Sequence, residues 1–235
     1  MKTFSITHQG RVREKNEDMC FVKEFDDGTA LLGVFDGLGG HTGGEKASER
    51  AKESMAEFNP LSQSLERHLV ELMQIANRSI LDMVDEVPDL RGMGTTMTIA
   101  YVGNGIVTWA HVGDSRLYVF REGKLERVTE DDTIPGLLLA EGEIDQEEAR
   151  VHPLKNVLFD CLGRGDFEAH AGRFEIQKED ILLLSTDGLH DEVPEKEMVS
   201  ILLLKKDLQE MLEALVSAAL DAGGRDNITV VGAEV

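Results

Sequence analysis

Residues 95–116 read TTMTIAYVGNGIVTWAHVGDSR, and this stretch decides the fold class. Two segments rich in β-branched and aromatic residues, 95–102 and 106–112, are separated by the turn sequence GNG at 103–105. Segments of this composition joined through asparagine and glycine are typical of a β-hairpin, whose strands are antiparallel. The stretch therefore predicts an antiparallel sheet.

Further segments have the same strand character, and two of them flank Gly123 as a second hairpin. They are 29–35, 116–120, 124–128, 181–185 and 228–231. The strands occur in runs and do not alternate one by one with helices. This order favours antiparallel sheet with helices packed outside it over a parallel βαβ architecture.

Two long helices are predicted from apolar residues that recur every three or four positions. The first stripe comprises Leu65, Leu69, Leu72, Ala76, Ile80 and Met83. The second comprises Leu208, Met211, Leu212, Leu215, Val216 and Ala219. The sequence DQEE at 145–148 has the spacing of a capping box and predicts a short helix inside a longer irregular region, 130–165.

The composition limits the classes to which this protein can belong. With 235 residues, of which 41% are hydrophobic, the chain suits one large domain or at most two small ones. Its net charge of −21 argues against nucleic acids and anionic lipid surfaces as partners. No apolar run approaches the roughly 18 residues that span a bilayer, and the stretch MKTFSITHQG lacks an apolar signal core. We interpret Cys20 and Cys161 as reduced thiols and expect a cytoplasmic protein.

Aspartates recur where predicted strands end, and each lies beside glycine or a polar turn. They are Asp18 in REKNED, Asp36 in VFDGLGGH, Asp114 in HVGDSR, Asp187 in STDG and Asp226 in GGRDN. An apolar strand delivers each carboxylate to a rim of the fold, and adjacent glycine lets the backbone turn or approach an ion closely. Taken singly, each Asp–Gly pair is equally compatible with an ordinary turn.

Five such carboxylates together indicate a bound cation. Without a cation, clustered carboxylates repel one another and raise each other's pKa values. A ligand set of oxygens without sulfur suits hard ions such as Mg²⁺ or Mn²⁺. The chain has no Cys/His spacing of the kind that binds structural zinc.

In this order, the five motifs resemble those of the metal-dependent protein phosphatase family, also called PPM or type 2C, and especially its compact bacterial branch. The resemblance runs from about Gly10 to Asn227. It implies an α+β fold, a four-layer α-β-β-α sandwich with two central antiparallel sheets. It also implies one catalytic domain over 1–235, with a flap at about 130–165 beside the active site. The implied reaction is hydrolysis of phosphoserine and phosphothreonine in proteins by a water activated at two Mn²⁺ or Mg²⁺ ions.

The resemblance assigns the two main metal sites position by position. Asp36 would bridge the two ions, and the carbonyl of Gly37 would serve one of them. Asp187 and Asp226 would hold the other ion. Two such ions lower the pKa of a bridging water and neutralise phosphoryl oxygens during in-line attack, so no phosphoenzyme is required.

Weaker metal contacts are implied for a second group of acids. Glu17 and Asp18 match an acid that holds an ion largely through water, and Asp114 and Asp191, with Asp187, match the ligands of a third and weaker ion. Asp191 follows Asp187 by four residues, so a helical turn would put both on one side. Capping of the next helix is the alternative role for Asp191.

The groups that would act on the substrate are an arginine and a histidine. Arg13 matches the arginine that holds the substrate phosphate, and a guanidinium fork suits a phosphate dianion better than an ammonium group does. The eukaryotic branch places a general-acid histidine where this chain has Leu38. His41 would take that role here, and bonding to backbone at a helix start is its alternative. Asn227 would support the metal ligands from behind.

The flap region carries further acids, at Asp131, Asp132, Glu141 and Glu143. We interpret most of these charges as solvated surface. Selection of basic residues around the phosphosite is the alternative for them.

Other functions compatible with the same pattern are a phosphatase-like module that binds phosphoproteins without turnover and a phosphohydrolase of small molecules. The first is disfavoured because Asp36, Asp187 and Asp226 are present. The second would share the metal machinery and stays open. The expected partners are phosphorylated proteins, substrates of a serine/threonine kinase, and the expected state is a monomer.

Overall fold

The computed structural model describes residues 1–39, 43–204 and 207–235. Within these ranges the strands are β1 (Lys2–His8), β2 (Met19–Glu24), β3 (Ala30–Phe35), β4 (Gly37–Leu38), β5 (Gly94–Thr95), β6 (Met97–Gly103), β7 (Ile106–Val112), β8 (Arg116–Arg121), β9 (Lys124–Arg127), β10 (His170–Glu175), β11 (Ile181–Ser185) and β12 (Ile228–Glu234). The α-helices are α1 (Gly43–Ser54), α2 (Leu65–Glu86), α3 (Ile134–Ala140), α4 (Gln146–Arg150), α5 (Asp187–His190), α6 (Glu195–Leu204) and α7 (Leu208–Ala222). Short 3₁₀ turns follow α1 and α2 at Met55–Glu57 and Pro88–Leu90.

The long strands form two antiparallel sheets. The first sheet has the order β1-β12-β11-β8-β9, and the second has the order β10-β7-β6-β3-β2. The short strands β4 and β5 pair with each other beside them. The first and last strands of the chain, β1 and β12, are neighbours, so the N-terminal segment lies next to the start of β12.

Apolar side chains on the two faces of each sheet separate four layers. In β11, Leu182 and Leu184 pack between the sheets, whereas Leu183 points the other way, towards α7, as the twofold alternation of a strand requires. Helices α1 and α2 cover the outer face of the second sheet. The predicted four-layer α-β-β-α sandwich with two antiparallel sheets is confirmed.

The hairpin predicted at 95–116 is present. Strand β6 pairs with β7 from Gly103↔Ile106 to Met97↔Val112. The residues between them, Asn104 and Gly105, both have positive φ, 54° and 74°, the combination that a tight two-residue hairpin turn needs. The capping box that begins α4 is also present, through Asp145 and Glu148.

In the two large sheets, three of the described strands were not predicted from the sequence, namely β1, β2 and β10. Each lies at an edge of its sheet, and every residue in them is partly buried or exposed, with none fully buried. An edge strand is covered less completely than a central one, so its sequence gives a weaker strand signal than the long buried runs of the central strands do. None of the helices in the described part of the chain combines the length and apolar character that crossing a membrane requires.

Replacing Leu183 by alanine should lower the free energy of unfolding by about 2–5 kcal/mol, because it opens a cavity under α7. The side chain is fully buried in the layer between the first sheet and the helices. Leu203→Ala is the matched control, since that leucine is 61% exposed. Urea unfolding of both variants checks this, and equal losses would contradict the assignment of Leu183 to the core.

Candidate active site

The carboxylates predicted to bind metal lie in the turns beside strand ends. Asp36 follows β3, Asp114 follows β7, Asp187 follows β11 as the first residue of α5, and Asp226 and Asp18 precede β12 and β2. They come from both sheets, yet they are close enough that each disfavours ionisation of its neighbours. The two sheets therefore bring these acids together in one place.

The backbone of Asp36 is held by two threonines. Its N–H donates to Thr96 Oγ1 at 3.0 Å, and its carbonyl accepts from Thr95 Oγ1 at 2.8 Å and from Thr96 N at 3.0 Å. A Cβ on Gly37 would lie 2.4 Å from the carbonyl oxygen of Gly44, so α1 packs directly on the peptide that follows Asp36. Only glycine fits at that position without moving the helix.

Asn227 ties the N-terminal segment to the start of β12. Its Oδ1 accepts from the N–H of Glu17 at 2.8 Å, and its Nδ2 donates to the carbonyls of Gln9 and Lys15, each at 2.8 Å. One buried amide thus fixes both ends of the loop that carries Arg13. The supporting role predicted for Asn227 fits these contacts.

Asp18 and Asp187 are linked through a buried threonine. Thr186 Oγ1 donates to Asp18 Oδ2 at 2.8 Å and accepts from the N–H of Thr229 at 3.0 Å. Thr186 directly precedes Asp187, and a Cβ on Gly188 would lie 1.9 Å from the carbonyl oxygen of Asn227. The turn after β11 is therefore pressed against the turn before β12.

Asp191 lies one helical turn after Asp187, as the spacing predicts. Its N–H donates to the carbonyl of Asp187 at 2.8 Å, and its carboxylate accepts from Lys155 of the flap region. Within the described chain, no backbone N–H group of α6 donates to this carboxylate. Asp191 therefore does not cap α6, which was its alternative role. Asp114, Asp187, Asp191 and Lys155 line one cavity of about 420 Å³.

Several of these carboxylates hold a buried oxygen without a protein partner. Among the described residues, Asp18 Oδ1, Asp114 Oδ1 and Asp187 Oδ1 are buried and accept no hydrogen bond. An unpaired buried carboxylate oxygen is costly, and in native proteins it usually marks a bound ion, a water or a functional site.

The ionisation of the cluster is strongly disfavoured. Burial raises the pKa of Asp18 and of Asp114 to about 7 each. Burial and then the charge of Asp187 raise the pKa of Asp36 well above its usual range, and burial and then Asp114 do the same for Asp187. These are the shifts expected of carboxylates that share one site.

The donor set fits a hard divalent cation. In the described ranges, no three Asp, Glu, His or Cys side chains converge closely enough to hold an ion by themselves. Mg²⁺ keeps several waters and uses few carboxylates, so side chains, the Gly37 carbonyl and water together can supply the oxygens. The unpaired oxygens of Asp18, Asp114 and Asp187 are available for this purpose.

Arg13 lies at the open side of the cluster. Its Nη2 donates to Asp226 Oδ2 at 2.7 Å, and this hydrogen bond raises the pKa of Arg13. The Arg13 side chain is 53% exposed, so the rest of its fork can reach a solute. Sequence reasoning had given Arg13 and Asp226 separate roles, and it did not anticipate that they contact each other.

Some predicted residues lie elsewhere or differ from expectation. His41 lies outside the described residues. Glu141 and Glu143 are exposed, as predicted for a solvated flap. The interpretation of the flap acids as solvated surface is wrong for Asp131 and Asp132, whose side chains are only 12% and 4% exposed. Asp131 pairs with Arg116 at 2.6 Å.

Comparisons with known proteins show the family to which this chain belongs. The sequence profile of the protein phosphatase 2C family matches residues 7–227. The chain belongs to the protein phosphatase 2C family. It is 39% identical over 234 residues to the serine/threonine phosphatase Stp of Listeria welshimeri, covering 96% of this chain and 92% of that protein.

Solved structures of this family have the same fold. The serine/threonine phosphatase PstP/Ppp of Mycobacterium tuberculosis superposes with a TM-score of 0.91 at 34% identity, covering 100% of this chain and 98% of that one. The catalytic domain of a phosphatase PstP in complex with two manganese ions superposes with a TM-score of 0.89 at 33% identity, covering 99% and 97%. The predicted family and the predicted class, a metal-dependent serine/threonine protein phosphatase, are confirmed.

The raised pKa of Asp114 makes the metal-free protein less stable as the pH rises. The native carboxyl keeps its proton up to about pH 7, whereas the unfolded one loses it near 3.8, so the native state binds more protons between these values and the free energy of unfolding falls there. In chelator, Asp114→Asn should lose less stability than the unmodified protein between about pH 5 and about pH 7.5, by about 1 kcal/mol or more.

The control is Asp221→Asn, whose side chain is 72% exposed. Buried histidines such as His111 and His190 have lowered pKa values because of their burial, and they add an opposite slope that is common to all the proteins compared. Chemical denaturation across this pH range checks the prediction. Parallel curves for Asp114→Asn and the unmodified protein would contradict it.

Proposed function

We propose that this member of the protein phosphatase 2C family hydrolyses phosphoserine and phosphothreonine in proteins at the carboxylate cluster formed by the turns after β3, β7 and β11 and before β12. The observation that carries the proposal is the set of unpaired buried oxygens on Asp18, Asp114 and Asp187, which a divalent ion would complete. When bound, two such ions lower the pKa of a water and neutralise phosphoryl oxygens.

In this proposal Asp36 would hold both ions, the role that the family resemblance implies for it. The Thr95 and Thr96 hydroxyls hold its backbone in place, and its pKa is raised by burial and then by Asp187. The Gly37 carbonyl would hold one ion, and Asp187 and Asp226 would hold the other. Such an arrangement stabilises the ionised form of carboxylates that otherwise repel one another.

The remaining acids hold ions more weakly or from further away. Glu17 and Asp18 would contact an ion largely through water, and Thr186 anchors Asp18 by donating to its Oδ2. Asp114 and Asp191, together with Asp187, would hold a third ion of lower affinity. Lys155 would compete with that ion for the carboxylate of Asp191, with which it pairs.

Arg13 holds the phosphate of the substrate. It stands beside Asp226 with half of its side chain exposed, and its free donors match the paired oxygens of a phosphate dianion. His41 is the proposed general acid; it follows Asp36 by five residues in VFDGLGGH.

The chain acts in this proposal as a single catalytic domain over 1–235, with 130–165 as its flap. Its substrates are phosphoproteins produced by a serine/threonine kinase, and it works as a monomer in the cytoplasm. The net charge of −21 supports a protein that stays away from nucleic acid and anionic membrane.

Asp36→Asn should lower kcat towards a phosphothreonine peptide by about a thousandfold with Mn²⁺ present. The reason is that the ions which Asp36 would hold activate the attacking water and neutralise the phosphoryl oxygens. Hydrolysis by the unmodified protein should stop in excess EDTA, and its melting temperature should rise with Mn²⁺ concentration. Asp85→Asn, on the exposed side of α2, is the charge-matched control. Turnover in EDTA, or normal kcat in Asp36→Asn, would refute the proposal, and small phosphate esters in the same assay test the small-molecule alternative.

Arg13→Ala should lower kcat/KM for the phosphopeptide by about a hundredfold, and Arg13→Lys should restore only part of the loss, since lysine keeps the charge without the paired planar donors. Arg11→Ala is the matched control, because Arg11 is two residues away and pairs with Asp221 on the surface. Steady-state kinetics of these variants checks the prediction. Equal kcat/KM for Arg13→Ala and Arg11→Ala would show that Arg13 does not contact substrate.

A further inference from the structure

A buried carboxylate of the flap region has no part in the proposed reaction. Asp132 lies between β9 and α3, and its side chain is 4% exposed. Its neighbour Asp131 is compensated by the guanidinium groups of Arg116 and Arg127. Asp132 has different partners, and they lie on the turn that carries Asp114.

Asp132 holds the peptide groups on both sides of Gly113. The N–H of Gly113 donates to Asp132 Oδ2 at 2.7 Å, and the N–H of Asp132 donates to the carbonyl of Gly113 at 2.8 Å. Gly113 has a φ of 107°, and a Cβ there would lie 2.6 Å from Thr96 Cγ2. A glycine turn of this kind is not held by its own side chain, so these two hydrogen bonds determine where the next residue, Asp114, begins.

The other oxygen of Asp132 is held as well. His170 Nε2, on β10, lies 3.1 Å from Asp132 Oδ1, within hydrogen-bonding distance. The carbonyl of Asp132 accepts from the N–H of Phe159 at 3.0 Å, beside the bridge between Thr133 and Leu158. Asp132 therefore joins both ends of the flap region to the turn after β7, and its carboxylate cannot rotate without breaking one of these bonds.

We propose that Asp132 is a positioning residue that orients Asp114 towards the turn formed by Asp187 and Asp191. This proposal rests on the proposed function, in which Asp114 is a ligand of the third and weaker ion. The orientation of Asp114 matters because its buried Oδ1 has no hydrogen-bond partner, so the direction of that oxygen depends on how the backbone of the turn is held. Outer groups that orient a metal ligand typically contribute tenfold to a hundredfold to metal affinity.

Calorimetric titration with Mn²⁺, together with kcat and KM for a phosphothreonine peptide, tests the proposal. Asp132→Ala should weaken the lower-affinity Mn²⁺ binding by about tenfold or more, leave the tighter binding within about twofold, and lower kcat more than it raises KM at limiting Mn²⁺. Asp132→Asn keeps an acceptor for the N–H of Gly113 and should restore most of the binding. Asp132→Glu keeps the charge but displaces the carboxylate, so it should resemble Asp132→Ala. It replaces the alanine variant in the test if that variant fails to fold.

Thr133→Val is the control for a purely structural loss. Thr133 is the next residue after Asp132, and this variant removes the buried hydrogen bond that the N–H of Gly136 donates to Thr133 Oγ1. It should lower the melting temperature without changing either class of Mn²⁺ binding. If Asp132→Ala and Asp132→Glu behave like Thr133→Val, the proposal is overturned while Asp114 keeps its role. If Asp114→Ala leaves the weaker binding intact, the ligand assignment itself is wrong, and the positioning role is overturned with it.

Discussion

Carboxylates that face one another across a shared site repel, and the structure around this site holds them close together against that repulsion. Asp36 and Asp187 have pKa values well above their usual range because of burial and mutual charge. A chain free to relax would move such groups apart into water. The acids stay together because each one lies in a short turn at a strand end, and the two sheets fix those ends relative to one another.

Polar side chains with short reach do most of this holding. Thr95 and Thr96 bind the backbone of Asp36, Thr186 binds Asp18, and Asn227 binds the N-terminal loop. They contact backbone or a single carboxylate oxygen, and they leave other carboxylate oxygens unpaired. A cation can therefore bind without first displacing the groups that hold the site together.

The sequence predicts the central parts of this design and misses its supports. Central strands such as β7 and β11 are largely apolar along their whole length, so the sequence shows where they end and which acids follow them. Edge strands such as β1 and β10 are not, because half of their side chains face solvent. The family resemblance supplied the roles of Asp36, Asp187 and Asp226, which spacing alone leaves open between turn and ligand.

The supporting contacts were beyond sequence reasoning for a different reason. Asp131 and Asp132 lie in an acidic, irregular region and read as solvated surface, yet both are largely buried. Their partners are distant in sequence: Arg116 is 15 positions before Asp131, and His170 is 38 positions after Asp132. Only the packing of the two sheets brings those partners within reach, and no local pattern records it.

Asp131 and Asp114 show that the effect of burial on the pKa of an acid depends on whether a cation lies beside it. Burial alone would raise the pKa of Asp131, but the fixed guanidinium of Arg116 outweighs it and lowers that pKa well below its usual range. Asp114 is buried as well, but its Oδ1 meets no donor in the described part of the chain, and its pKa rises to about 7. A buried carboxylate with a permanent cation has its charge already balanced, and the large cost arises only when one of the two partners is removed. One without such a partner stays available to a cation from solution, and for that reason the unpaired oxygens of Asp18, Asp114 and Asp187 support the proposed metal site.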